Sequence, residues 1–186
     1  TYRNDGVDIE KFNDAVNSNG YMVGFVDTED WMSYSVNIPQ DSVYTIKVRQ
    51  GCSGSTGGNF YFEADGVRLT PNYYATNTGS WTVMSTKSIP NVVLSSTDKK
   101  IRFVANQGGF NVTSFEFVAT GATNTITADF VHAVTYNNTT IEVQTNKPLD
   151  TANLGLVASY YVTVNGVPAT VTSITKSLSN PRNVLI

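Results

Sequence analysis

The stretch VYTIKVRQ, Val43–Gln50, sets Tyr44, Ile46 and Val48 against Thr45, Lys47 and Arg49. A period of two sends successive side chains to opposite faces, so the stretch reads as a strand with one face in a core and one in water. Its neighbours behave alike. NFYFEADG, Asn59–Gly66, ends in a turn signal, and KIRFVA, Lys100–Ala105, alternates Ile101, Phe103 and Ala105 before NQGG. No window carries a capped apolar stripe of helical period. Up to Val118 the chain holds about eight short apolar segments divided by Gly, Pro, Asn and polar turns, the arrangement of an antiparallel β-sandwich. The expected fold class is all-β.

Composition agrees. The 186 residues are 40% hydrophobic, 15% charged and 11% aromatic, rich in Tyr, Phe, Thr, Asn and Gly, a mixture that favours strands and turns. A net charge of −3 without a basic cluster lacks the footprint of a phosphate-backbone partner, so no nucleic acid is expected. No apolar run nears the length of a membrane span, and no membrane partner is expected. A start at Thr1 without a signal peptide reads as a fragment of a processed or larger protein. Cys52 is the single cysteine, which rules out an intrachain disulfide, and its Gly/Ser-rich surroundings, RQGCSGSTGGN, read as a loop.

After Val118 the composition shifts. ATGATNT, Ala119–Thr125, has no large apolar group and reads as a linker between a domain at 1–118 and a second at 126–186. Alternation resumes there, with Asn165-Gly166 placed as a type I′ hairpin turn. The second unit stops at Ile186 directly after the strand-like NVLI, and the expectation is a domain cut short.

Chemistry-bearing motifs are scarce. The one histidine, His132, lies in an alternating strand of the second unit, and GCSGS misses the second glycine of a nucleophile elbow. One His and one Cys do not make a transition-metal cluster. The acidic runs NDGVDIE and DTED lack helix-loop-helix calcium spacing and read as solvated turns. Glu10, Glu29, Asp30, Glu63, Asp65 and Glu116 read as surface charge and turn caps, with a glycosidase carboxylate pair as the competing reading. No catalytic residue and no metal ligand is assigned. One oddity stands out: ATNTGSWTVM, Ala75–Met84, puts Trp81 in a polar, Gly-containing turn, where a large ring is costly to leave wet.

Three blocks give that ring a context. NSNGYMVGFVDTEDWMSYSVNIP (Asn17–Pro39), TNTGSW (Thr76–Trp81) and GGFNVTSFEF (Gly108–Phe117), preceded by YRNDGVDIE, resemble carbohydrate-binding module family 6 over residues 2–118. These are non-catalytic β-sandwich modules of jelly-roll type attached to polysaccharide-degrading enzymes. The resemblance implies a cleft at the loop end of the sandwich, where two aromatic rings grip a sugar and an amide bonds its hydroxyls. The matching positions are Phe25, where the family usually has Tyr or Trp, then Trp81 and Asn111, with Glu10 as a cleft carboxylate. Such a design is physically sound, since a flat ring meets the C–H face of a pyranose and an amide pairs with its polar rim. The structural alternatives are a Trp81 folded back onto the sandwich, a core Phe25 and a turn amide for Asn111.

The resemblance also implies a second sugar site on the concave face of one sheet, at Trp31 with Glu63 as a partner, against which core packing of Trp31 is the stronger expectation. A structural calcium ion is implied too, held partly by a further strand upstream. Thr113 stands where members often carry an acidic ligand, which weakens the case for calcium. The second unit resembles bacterial immunoglobulin-like repeats used as spacers in secreted proteins. The expected role is therefore a non-catalytic polysaccharide-binding module that targets an attached enzyme, a secreted or cell-surface monomer taking a β-linked glucan, xylan or agarose-class chain. The alternatives are a small β-sandwich glycoside hydrolase or lyase, and a cell-surface adhesion or assembly module.

Overall fold

The structure, a computed structural model, describes residues 8–16, 20–54, 57–121, 130–147, 149, 154–180 and 182–186. The chain divides into two compact units, Thr1–Ile126 and Thr127–Ile186. The first is built from β1 (Asp8–Lys11), β2 (Tyr21–Val26), β3 (Trp31–Ser35), β4 (Ser42–Gly51), β5 (Asn59–Ala64), β6 (Val67–Arg68), β7 (Tyr73–Tyr74), β8 (Ser85–Leu94), β9 (Lys100–Gln107) and β10 (Phe110–Gly121). They pair antiparallel in two sheets, β1-β2-β10-β4-β8 and β3-β9-β5-β6, with β7 also on β5.

Alternation decides which residues lie between the sheets. On β4, Tyr44, Ile46 and Val48 are buried while Thr45, Lys47 and Arg49 point outward, and on β9 Ile101, Phe103 and Ala105 are buried as their spacing predicts. Phe103 sits at the centre, with ring centroids 5.0 Å from Phe60, 5.5 Å from Phe62, 5.9 Å from Phe110 and 5.0 Å from Phe115. Rings from both sheets thus interlock, and the fold is the antiparallel β-sandwich expected. Gln50 breaks the apolar row. Its buried Nε2 donates to Thr76 O at 3.3 Å and Ser85 Oγ at 3.0 Å, which spares the amide part of its desolvation cost.

Turn chemistry closes the hairpins. Asp65 and Gly66, at φ 48° and 83°, join Ala64 to Val67 in the sense of a type I′ turn. On the outer face, Arg49 donates to both carboxylate oxygens of Asp14 at 2.7 and 2.8 Å, tying the β1–β2 connection to β4 and holding the guanidinium above its usual pKa.

Two expectations need correction. β10 runs on to Gly121, with Ala119 opposite Tyr44 and Gly121 opposite Val43, so the sandwich extends past Val118 into the stretch read as linker. Residues 122–125 of that stretch lie outside the described residues. Cys52 lies in the loop its surroundings predict, and there it is fully buried, because Gly57 lets the chain fold tightly over its sulfur. Trp31 does not pack in the core: it is 50% exposed on the outer face of β3, since the DTED turn moves the chain from one sheet to the other.

Among the described residues, one flank of the sandwich is open. β2 pairs with β10 only at Phe110 and Val112, and from Phe115 onward β10 is laddered among the described residues to β4 alone. Beside that edge runs an apolar groove of about 450 Å³, lined by Met32, Tyr34, Val36, Phe115 and Phe117 among others. Burial in it pushes the Tyr34 hydroxyl above its usual pKa.

The second unit contains β11 (Phe130–Asn137), β12 (Thr140–Thr145), β13 (Val162–Val164), β14 (Val167–Ala169), β15 (Thr175–Lys176) and β16 (Asn183–Leu185). They form a four-stranded sheet, β11-β12-β16-β15, and a separate β13-β14 hairpin. The hairpin turns at Asn165-Gly166 with φ 51° and 80°, as its sequence predicts. His132 is a β11 strand residue opposite Gln144.

Phe103→Ala should cost about 3–5 kcal/mol, the usual range for removing a fully packed ring. Glu116→Ala, which breaks an exposed ion pair with Lys47 at 3.1 Å, should cost less than about 1 kcal/mol. Chemical denaturation of the two variants checks the contrast.

Candidate functional site

At one end of the sandwich β1, β2, the β7–β8 loop and the start of β10 enclose a cleft of about 470 Å³. Glu10, Phe25, Trp81 and Asn111 all line it, as do Asp27 and Thr82, which the sequence had not singled out. The four matched positions are thus brought together from segments spread over a hundred residues of chain.

Phe25 owes its position to an irregularity in pairing. Phe110 lies opposite Val26 and Val112 opposite Val23, so Gly24 and Phe25 together face the single residue Asn111 in a β-bulge. Phe25 takes φ 48°, a left-handed conformation that a bulky residue rarely adopts, and its ring is 70% exposed. A strand phenylalanine in regular register belongs in the core, and the bulge is what turns this one out. Strain of this kind costs on the order of 1–3 kcal/mol and persists where surrounding structure enforces it. Beside the ring, Gly24 makes room for Glu10: a Cβ there would sit 3.4 Å from the Glu10 carboxyl carbon.

Trp81 stands on a loop held from several sides. Thr78 N donates to Cys52 O at 2.9 Å, and Cys52 N returns a bond to Thr78 Oγ1 at 3.1 Å. Asn77 Oδ1 accepts from Gly79 N at 2.8 Å, which fits Gly79 at φ 75°. Gly51 lies directly beneath, where a Cβ would come within 2.9 Å of Val83 O and 3.1 Å of Trp81 O. The indole is left 47% exposed, so it is not folded back onto the sandwich.

Asn111 has a second task that the turn-amide reading missed. It is a β10 residue, only 6% exposed, and its Nδ2 donates to Trp81 O at 3.1 Å. The residue lines the cleft while its Nδ2 donor fixes the loop. No pattern in the sequence announces that bond, because its acceptor is a backbone carbonyl.

On the outer face of the other sheet, Arg102 links the two remaining expected residues. Its guanidinium lies 5.6 Å from the Trp31 ring centroid and its Nε donates to Glu63 Oε2 at 2.6 Å. Arg68 stacks on Tyr61 nearby, 4.0 Å from its centroid, where burial holds the guanidinium below its usual pKa. Glu63 is buried and paired, Asp65 accepts from the Lys99 and Lys100 amides, and Glu116 pairs with Lys47, so these carboxylates serve the fold. At the position where the resemblance implies an acidic calcium ligand, Thr113 directs a neutral hydroxyl at Arg49 O, and no three His, Cys, Asp or Glu side chains gather among the described residues.

The family model for carbohydrate-binding module family 6 matches residues 1–119. The chain belongs to that family. It is a non-catalytic carbohydrate-binding module. No curated protein matches the chain. A family 6 module from Cellvibrio mixtus lichenase 5A, solved in complex with cellotriose, is 30% identical with a TM-score of 0.54, over 62% of this chain and 88% of its own. The C-terminal family 6 module of LamC, a marine laminarinase of Zobellia galactanivorans, is 24% identical with a TM-score of 0.54, over 61% and 89%. A β-1,3-glucan-binding family 6 module from Bacillus halodurans is 24% identical with a TM-score of 0.53, over 61% and 87%. These last two speak for the fold.

Phe25→Gly should melt at or above the parent temperature, because glycine adopts the left-handed conformation without strain, while carbohydrate binding weakens with the ring gone. Asn111→Ala should lower stability by about 1–3 kcal/mol by leaving the Trp81 carbonyl without its buried donor. Melting curves run beside titrations separate the two effects.

Proposed function

We propose that the module grips a sugar of a β-linked glucan between Trp81 and Phe25, with Asn111 Oδ1 and the Glu10 carboxylate accepting from its hydroxyls. The observation that carries this reading is a pair of solvent-exposed rings lining one cleft together with a buried amide and a carboxylate. An exposed ring is costly in water unless a ligand covers it, and the C–H face of a pyranose is a suitable cover. The glucan class is favoured over xylan and agarose by the Cellvibrio mixtus module, 30% identical and solved with cellotriose. Binding of this kind holds an attached carbohydrate-active enzyme at its polymer, with the second unit as spacer. Polymers of that size are met outside the cell, which favours a secreted or surface-bound protein. Trp31, stacked on Arg102 beside Glu63, is the candidate for a second, weaker sugar contact.

Affinity electrophoresis against soluble β-glucans, xylans and agarose tests the class, and retardation by a β-glucan is the expected result. Trp81→Ala should weaken binding by roughly thirtyfold, the loss of a central aromatic contact worth on the order of 2 kcal/mol. Trp31→Ala should leave most of the affinity in place. A folded Trp31→Ala that no longer binds, beside a Trp81→Ala of parental affinity, would move the site to the sheet face.

A further inference from the structure

The polar groups of the cleft are unusually one-sided. Glu10 and Asp27 line it as carboxylates beside the Asn111 amide, and no Lys, Arg or His is among its described lining residues. Neither carboxylate accepts a hydrogen bond among the described residues, unlike Glu63, Asp65 and Glu116 on the same unit. Asp27 is exposed, and its backbone amide is fixed by Asp30 Oδ2 at 2.8 Å, so the turn that carries it is braced. The surrounding positions add charge of the same sign: Asp8 opposite Gly24, and Glu29 and Asp30 in the β2–β3 turn.

Two carboxylates with no hydrogen-bond donor among the described residues gain from donors that a ligand brings as it displaces their water. Sugar hydroxyls supply them, and a hydroxyl donating to a carboxylate makes a charge-assisted bond stronger than a neutral one. A uronate carboxylate has no proton to give at neutral pH, and like charges brought together at short range across an interface are strongly unfavourable. We infer that the cleft selects its chain by charge, accepting neutral β-glucan and refusing the same chain oxidised to uronate at C6, with Asp27 as a specificity-determining residue. The inference rests on the glucan reading above and deepens it, since ring stacking alone does not distinguish a neutral sugar from its uronate.

The test uses two ligands of the same linkage and length, cellohexaose and its C6-oxidised hexamer, titrated calorimetrically into the full chain at low and at raised salt. Cellohexaose should bind at least about tenfold more tightly at low salt, and the gap should narrow as salt screens the repulsion. Asp27→Asn should shrink the ratio of the two affinities by about threefold or more, and Glu10→Gln should act in the same direction. Binding of the two hexamers within about threefold of each other at low salt would overturn the charge inference while leaving the glucan reading intact. A gap that neither salt nor either substitution alters would overturn it too, since shape would then be the cause. Failure of cellohexaose to bind at all sinks both.

Discussion

A buried amide whose donors find no partner costs about 1–3 kcal/mol, and Asn111 meets that demand with the carbonyl of Trp81. The rest of the cleft follows from this one bond. Asn111 is fixed by its place on β10, next to Phe110 in the aromatic core, so the sandwich dictates where the Trp81 loop sits. The loop in turn rests on Gly51 and is clipped to Cys52 through Thr78. Across the strand pair, the residue facing two bulged neighbours is again Asn111, so the device that turns Phe25 outward lies against the device that anchors Trp81. A cleft built this way is held by the fold itself, and little ordering cost remains to be met on binding.

That arrangement is held at some expense to the fold. Phe25 spends backbone strain and leaves a ring in water, and Trp81 leaves about half of an indole there. Both are tolerated because the core beneath is dense: Phe60, Phe62, Phe103 and Phe110 are almost wholly buried and meet edge-on or tilted. Stability made between the sheets supports features at the loop end that a sequence optimised only for folding would avoid.

Much of this was legible in the sequence, for identifiable reasons. The burial of Tyr44, Ile46 and Val48 follows from a period of two, and the Asn165-Gly166 turn follows from the tolerance of those residues for positive φ. The membership of Glu10, Phe25, Trp81 and Asn111 in one cleft came from a resemblance spread over three blocks, and residue-level reasoning alone would have put Phe25 in the core. What stayed hidden depends on register and on backbone partners. The bulge at Gly24–Phe25 is a one-residue slip between strands distant in sequence, and the Trp81 carbonyl carries no side-chain signature. Asp27 was concealed by its company, because DTED reads as a turn and is one, while its first residue also lines the cleft. Trp31 was misplaced since burial of a tryptophan is the usual outcome, and the exposed edge strand on which it lies could not be foreseen from its own residues.

The chain has two tryptophans, one at the cleft and one against Arg102, and neither belongs to the core. Its intrinsic fluorescence is therefore a report on surfaces. Indoles already half in water change their emission little when the sandwich unfolds, so a tryptophan-detected melt follows the aromatic core poorly, and the phenylalanines there are nearly silent. A sugar laid over Trp81 has the opposite effect, drying the one fluorophore it touches. Tryptophan emission from this protein thus tracks occupancy more faithfully than folding.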